Sequence, residues 1–443
     1  MIKKSLSLSY LLFVILSMNQ YTYCQTTITK WQYDKKGAVS ITYDDGIRPQ
    51  FTEVIPIMNQ LHFPGTFFIV TGDIKDSRYH AKFIGRPVKQ IMAETKIIPT
   101  NKNNFFERAS AVRFLSYKET APYFFKAGSL FEQKKFSDVY KLMDSVYALA
   151  LAGRLPRGID TTYEAGMSSQ NTWSEFKRYA SQGHEFACHT LSHPFTAILD
   201  TPNIYYELEK CREDIRSHLG NKYTFSAEVP FGTEDERVME YVLDSKLFPA
   251  LRNKMPEPYM TEINRGYKEQ PNASHKEYVQ WQRGPLTKTP LSLMKSWIDT
   301  LLVHDNIWLV LVFHGIDTTG WQPLPHKEVA DYFHYIKDKE EGLWVSTFGD
   351  VTKYMRERMA AKISEKRSKN KIVISLQHSL DTTLYNLPLT LKTYLPTQWK
   401  SIKVQQNNII ENVEISSDAN GKYILFQALP NYDKIEIMTV NSF

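Results

Sequence analysis

The sequence predicts an α/β protein, a parallel sheet with covering helices, carrying a helical insertion and followed by a small all-β domain. Three observations carry this. Strand-like runs alternate with helical periodicity before residue 73 and again after residue 172, the period is helical from about 73 to 166, and short apolar–polar alternation fills the chain from 371 to 443. At 443 residues the chain exceeds the roughly 250 to 300 at which single cores stop growing, so two domains are expected: residues 25–367 and residues 371–443.

The first strand candidate is Ala38 to Tyr43, which runs into the turn signal Asp44-Asp45-Gly46. A helix-like segment from Gln50 to Leu61 leads to a buried strand, Gly65 to Val70, and a strand, helix, strand unit implies a parallel sheet. After the insertion, a helix from Thr172 to Ala180 stops at Gly183, and His184 to Cys188 reads as a strand with His189 at its end. A helix from Ile204 to Leu219 precedes the strand Phe225 to Pro230 and the turn Phe231-Gly232, and the apolar run Trp308 to Phe313 ends at His314-Gly315. The strand Leu343 to Phe348 and a charged helix through Arg356 to Arg367 lead to the tail, whose short strands predict a sandwich.

Residues 1–24 read as a signal peptide: Lys3 and Lys4 precede the apolar run Leu8 to Leu16, which is well short of the roughly 20 residues a spanning helix needs. The protein is therefore expected to be exported, to the periplasm, cell surface or medium, with no transmembrane segment after cleavage. Lipidation at Cys24 is the alternative, and Tyr23 fits poorly before it. Losing Lys3 and Lys4 lowers the formal charge from +6 to +4, too little and too scattered for a nucleic-acid partner. Apolar residues at 42% and charged residues at 23% are ordinary for a globular chain and exclude wholesale disorder. Cys188 and Cys211 then remain and read as buried free thiols.

Ligand sites in parallel α/β folds gather at the carboxyl ends of strands, where Asp44, Asp45, His189 and His314 all fall. His189 and His193 are spaced so that both imidazoles reach one ion from a single turn, and Pro194 ends that turn. Two histidines and a carboxylate leave positions open for water and substrate, as a catalytic metal needs, and Asp45 is the natural third ligand. Each element alone is also ordinary turn or surface chemistry; the weight lies in the combination. Trp173, Trp281 and Trp321 are candidates for stacking on sugar rings, although tryptophan is more often partly buried apolar area.

In order and strand placement these motifs resemble the polysaccharide deacetylase family, the NodB-homology or carbohydrate esterase family 4 group. Thr42 to Gly46 looks like the first motif, His189 to Pro194 the second, Val229 to Gly232 the third and Leu309 to His314 the last. The resemblance implies a deformed (β/α) barrel with a zinc-like divalent ion, zinc or another such as cobalt, on Asp45, His189 and His193. It implies Asp44 as general base and His314 as general acid, with the Phe231 N–H on the oxyanion. The implied partner is an acetylated polysaccharide or oligosaccharide.

The chain departs from the family's pattern in two places. Glu228 stands where the third motif carries an arginine two residues before the proline, and Arg48, Arg252 or Arg283 are candidates to replace that cation. If Glu228 lies beside Asp44 with no arginine between them, repulsion raises the pKa of at least one carboxyl, and the ion opposes this. The aspartate-rich fourth motif is not recognisable between Arg252 and Pro290, where Trp281-Gln282-Arg283-Gly284 stands, and Asp317 is close in sequence to His314. Three functions follow: removal of acetyl groups from a glycan, glycan binding without turnover, and deacylation of small molecules.

Overall fold

A computed structural model describes residues 26–158, 170–233, 235–244, 247–252, 254, 263–264 and 276–439; the expected signal peptide lies outside these residues. The chain divides into two compact units, residues 35–356 and a second built from residues 26–34 and 357 onward. Among the described residues no helix is long and apolar enough to cross a membrane.

Strand β1 (Thr26–Ile28) belongs to the second unit. Among the described residues the first unit holds nine strands: β2 (Gly37–Tyr43), β3 (Gly65–Ile69), β4 (Glu185–Cys188), β5 (Ser226–Ala227), β6 (Ala250–Leu251), β7 (Ile263–Asn264), β8 (Val279–Arg283), β9 (Ile307–Phe313) and β10 (Leu343–Val345). All pair in parallel, in the order β6-β5-β4-β3-β2-β9-β8-β7, with β10 also on β2. The two ends of this order, β6 and β7, are consecutive in the chain. The strands thus run round the sheet in chain order, as in a (β/α) barrel, and the described residues show no pairing that closes it.

Every residue of β2 is buried, because helices cover one face of the sheet and the barrel interior fills the other. Its polar residues find partners there: Thr42 donates to the Leu311 carbonyl at 2.8 Å, and Ser40 accepts from the Trp308 indole at 3.0 Å. Tyr43 stacks between Phe67 and Phe313, with centroids 5.4 and 5.0 Å away. The helix after the insertion, Trp173–Ser181, starts at a capping box made by Thr172 and Glu175.

Among its described residues the insertion forms four helices, Val88–Glu94, Phe105–Val112, Ala121–Glu132 and Phe136–Leu151; its last expected residues, from 159, lie outside the described ones. Three expected elements differ, the first being the strand expected at Leu343 to Phe348, which ends at Val345 because Phe348 opens the helix Phe348–Ala360. The strand expected at Phe225 to Pro230 is reduced to β5, because Phe231 adopts φ 63° and Pro230 to Gly232 form a 3-10 turn. The charged segment expected as one helix through Arg367 is helical over Phe348–Ala360 and continues as β11 (Lys362–Arg367), whose exposed charges alternate with partly buried Ile363 and Glu365.

In the second unit β11 and the strands β12 (Lys371–Gln377), β13 (Leu389–Tyr394), β14 (Ile402–Gln406), β15 (Ile409–Asn412), β16 (Ser416–Asp418), β17 (Gly421–Ala428) and β18 (Ile435–Thr439) make two antiparallel sheets. One is β1-β13-β17-β16 and the other β11-β12-β18-β14-β15. Inward residues alternate along the strands, with Ile372, Ile374, Ile435 and Ile437 of one sheet and Leu389, Leu391, Ile424 and Phe426 of the other at most 4% exposed. The tail is thus all-β, as expected. It also takes in β1, whose Thr26 pairs with Thr393, a partner 367 residues away that no local pattern reveals.

Because residues 35–356 bury their own core, a chain cut to that span is expected to fold and to bind one equivalent of zinc. A cut at residue 371 should behave worse, since it leaves β1 and β11 without partners. Circular dichroism and elemental analysis of both fragments check this, and a 35–356 fragment that stays unfolded contradicts it.

Candidate metal and catalytic site

Asp44 and Asp45 leave the carboxyl end of β2, His189 and His193 follow β4, Glu228 follows β5, Arg252 follows β6 and His314 follows β9. These ends line a cavity of about 520 Å³, together with Phe195, Phe231, Gln282, Trp321 and, from the insertion, Ser129.

Asp45 Oδ1 lies 3.6 Å from His189 Nε2 and 3.3 Å from His193 Nε2, and the donor atoms of all three buried residues fall within 4.8 Å of one another. His189 Nδ1 is held at 3.0 Å by the Glu228 carbonyl, which fixes the tautomer and turns Nε2 towards Asp45. One carboxylate and two imidazoles facing a cavity fit an open divalent site of the zinc type. Burial pushes the Asp45 carboxyl up, but its histidine partners pull further, leaving it well below the usual carboxylate range.

The loop between the histidines is pinned from behind. Glu207, buried in the helix Thr201–Leu219, accepts from the Leu191 and Ser192 N–H groups at 3.1 and 2.8 Å and from the Ser192 hydroxyl at 2.6 Å. Arg113 of the insertion donates to the same hydroxyl at 3.2 Å. Thr190 and His193 hold positive φ angles of 68° and 52°, as do Asp45 at 74° and Phe231 at 63°. Such backbone costs about 1 to 3 kcal/mol per residue and persists only where the surroundings over-determine it, as the bonds to Glu207 and Arg113 do behind the histidine loop.

Asp44 sits beside this cluster and takes two hydrogen bonds from Arg252, Nη1 to Oδ1 at 2.8 Å and Nη2 to Oδ2 at 2.5 Å. Arg252 also donates to Thr42 at 2.8 Å, lies 3.2 Å from Glu228 Oε1, and covers the Phe68 ring at 4.7 Å. Gln280 and Gln282 of β8 hold its carbonyl at 3.0 and 2.7 Å. The expected repulsion between Asp44 and Glu228 is therefore overturned: the guanidinium lies between them. Burial raises the Asp44 carboxyl, while Arg252, His314 and His189 more than offset it, leaving it below its usual value and ionised at neutral pH.

His314 Nε2 lies 3.4 Å from Asp44 Oδ2, and Gln50 ties the two residues together by donating to the Asp44 carbonyl at 2.6 Å and the His314 carbonyl at 2.9 Å. Among the described residues His314 Nδ1 has no hydrogen-bond partner. Asp317 does not orient it, being paired with His326 at 3.0 Å. Trp321, 47% exposed, meets the His314 ring edge-on at 4.8 Å. Phe231, 41% exposed, meets His193 at 4.9 Å and stacks on Phe195 at 4.6 Å.

Four candidates lie elsewhere. Arg283 does not line the cavity: its guanidinium covers Trp281 at 4.2 Å and donates to the Gln282 carbonyl. Arg48 pairs with Glu175 at 2.6 Å. Trp281 is fully buried, and Trp173 stacks on His218 at 4.4 Å. Cys188 and Cys211 are buried free thiols, as expected.

Residues 32–95 and 159–247 match the family model described as polysaccharide deacetylase, and these segments bring Asp44, Asp45, His189, His193 and Glu228. The chain carries a domain of the polysaccharide deacetylase family. His314 and Arg252 lie beyond the matched segments and share the cavity with these residues. A gellan lyase of a Bacillus species is 23% identical over 288 residues, 60% of this chain, which spans only 11% of that protein. The solved structures to which it is similar include a family 4 carbohydrate esterase from Bacillus anthracis and one from Streptomyces lividans in complex with acetate. The first is 12% identical with a TM-score of 0.33, covering 74% of this chain and 86% of the other. The second is 10% identical with a TM-score of 0.33, covering 72% and 95%.

Glu207→Ala frees the loop between the metal-site histidines and is expected to weaken zinc binding about 10- to 100-fold, the usual effect of losing a support behind the ligands. Competition with a chelator measures it, and unchanged affinity would show that the loop holds its shape without Glu207.

Proposed function

We propose that this chain is an exported, zinc-dependent deacetylase that hydrolyses acetyl groups from a polysaccharide or oligosaccharide. The observation that carries the proposal is the buried Asp45, His189 and His193 cluster opening on a cavity whose wall also holds an Arg252-bound Asp44 and His314. A bound divalent ion would polarise the acetyl carbonyl and acidify a water molecule. Asp44, ionised and fixed by two hydrogen bonds from Arg252, takes the proton of the attacking water. His314 returns a proton to the departing amine or alkoxide as the bond to the acyl carbon breaks, and acetate leaves. The Phe231 N–H is assigned to the oxyanion, and the exposed Trp321 ring to a sugar face at the rim.

Arg252 favours turnover over glycan binding alone, since a buried cation bound to Asp44 is what keeps that carboxylate available as a base. Export rests on Lys3, Lys4 and the apolar run to Leu16, with cleavage expected before Gln25. N-terminal sequencing of the exported protein tests that part.

Zinc-loaded protein is expected to release acetate from at least one substrate in a panel of N-acetylated glucosamine oligomers and acetylated xylan, to stop with chelator and to recover with zinc. His189→Ala should lose both ion and activity. Asp44→Asn should keep the ion and lose about 10²- to 10⁴-fold in kcat. Acetate release that survives chelation overturns the metal assignment, and equal zinc loss in both variants overturns the division of roles between Asp44 and Asp45.

A further inference from the structure

Glu228 and Arg252 stand at matching positions of neighbouring strands. β5 pairs with β6 so that Ala227 lies opposite Leu251, and the Arg252 N–H donates to the Ala227 carbonyl at 3.1 Å. The next residues of both strands leave side by side, and both line the cavity, each 2% exposed. Glu228 Oε1 lies 3.2 Å from Arg252 Nη2, the same nitrogen that reaches Asp44 Oδ2 at 2.5 Å. The Glu228 main chain is committed as well: its N–H donates to the Cys188 carbonyl at 2.9 Å, and its carbonyl holds His189 Nδ1 at 3.0 Å.

A guanidinium presents its donors in a rigid planar fork, so the direction of two of them is set by where the others are anchored. Here Thr42 fixes one edge and Glu228 the other, and the two bonds to Asp44 lie between these anchors. We propose that Glu228 is a positioning residue whose carboxylate acts on turnover through Arg252, holding the guanidinium where it grips both oxygens of Asp44. Its effect on turnover rests on Asp44 being the base, as in the function proposed above; its coupling to Arg252 does not.

The test is a double-mutant cycle on the zinc-loaded full-length chain with Glu228→Gln, Arg252→Gln and both together, read by kcat and KM for acetate release and by urea unfolding midpoints. Glutamine keeps the volume and the main-chain contacts while removing the charge. Glu228→Gln is expected to lower kcat about 10- to 100-fold through misalignment, with KM and zinc content within about twofold of wild type. In the Arg252→Gln background the same change should alter kcat less than about twofold, because the residue through which it acts is gone. In unfolding, Arg252→Gln strands two buried carboxylates and lowers the midpoint, and adding Glu228→Gln should raise it again. An equal loss of kcat in both backgrounds, a change in KM alone, loss of zinc, or no effect of Glu228→Gln overturns the proposal. A wild type that releases no acetate removes the functional reading, while the unfolding cycle still decides the coupling: additive midpoints overturn it.

Discussion

Asp44, Asp45 and Glu228 bring three carboxylates into one cavity, none more than 3% exposed, and the site is organised by how that charge is balanced. Buried ionised carboxylates are strongly unfavourable unless paired and hydrogen-bonded. Arg252 serves two of them at once, which lets Asp44 remain ionised beside Asp45. Asp45 faces two imidazoles, one with its tautomer set by a backbone carbonyl, a set of donors that could hold a divalent cation. The two adjacent aspartates are thereby given different work by different partners, one bound to a guanidinium and the other left facing the ion site.

Parallel strands make this arrangement possible. Successive strands deliver their following residues to the same end of the sheet, so side chains hundreds of positions apart, such as Asp44 and His314, come within 3.4 Å. The backbone there is held in conformations that ordinary residues avoid, at Asp45, Thr190, His193 and Phe231. The anchors sit behind them: Gln50 across β2 and β9, Glu207 and Arg113 behind the histidine loop. The insertion thus reaches the site through Arg113 and Ser129. Its helix Ala121–Glu132 comes so close that a Cβ at Gly128 would lie 2.2 Å from the Phe195 ring, on which Phe231 stacks.

What could be read in advance follows from this division. The long strands β2, β3 and β9 and the helices with apolar periodicity were legible because their signals are local, and so were the aspartates and histidines at strand ends. The strands β6 and β7, two residues each, are too short to show a period, and β1 gains its strand character from a partner far along the chain. Arg252 was one of three arginines that composition left equivalent; the register of Ala227 with Leu251 selects it, and sequence alone does not display register. Glu207 gave no signal, since a glutamate in a helix normally reads as surface, and its burial arises only once the histidine loop folds over it. Trp281 and Arg283 were misplaced for the converse reason: they satisfy each other inside the sheet instead of facing the cavity.

The proposed reaction requires an ion on Asp45, His189 and His193 with Asp44 held apart by Arg252. Anomalous diffraction at the zinc edge from crystals of the zinc-loaded protein tests it most directly. One ion is predicted per chain, with Asp45, His189 and His193 as protein ligands at about 2.0 to 2.2 Å, a remaining position open to the cavity, and Asp44 bound to Arg252. An ion bound elsewhere, or one that draws Asp44 away from Arg252 into its coordination, would contradict it.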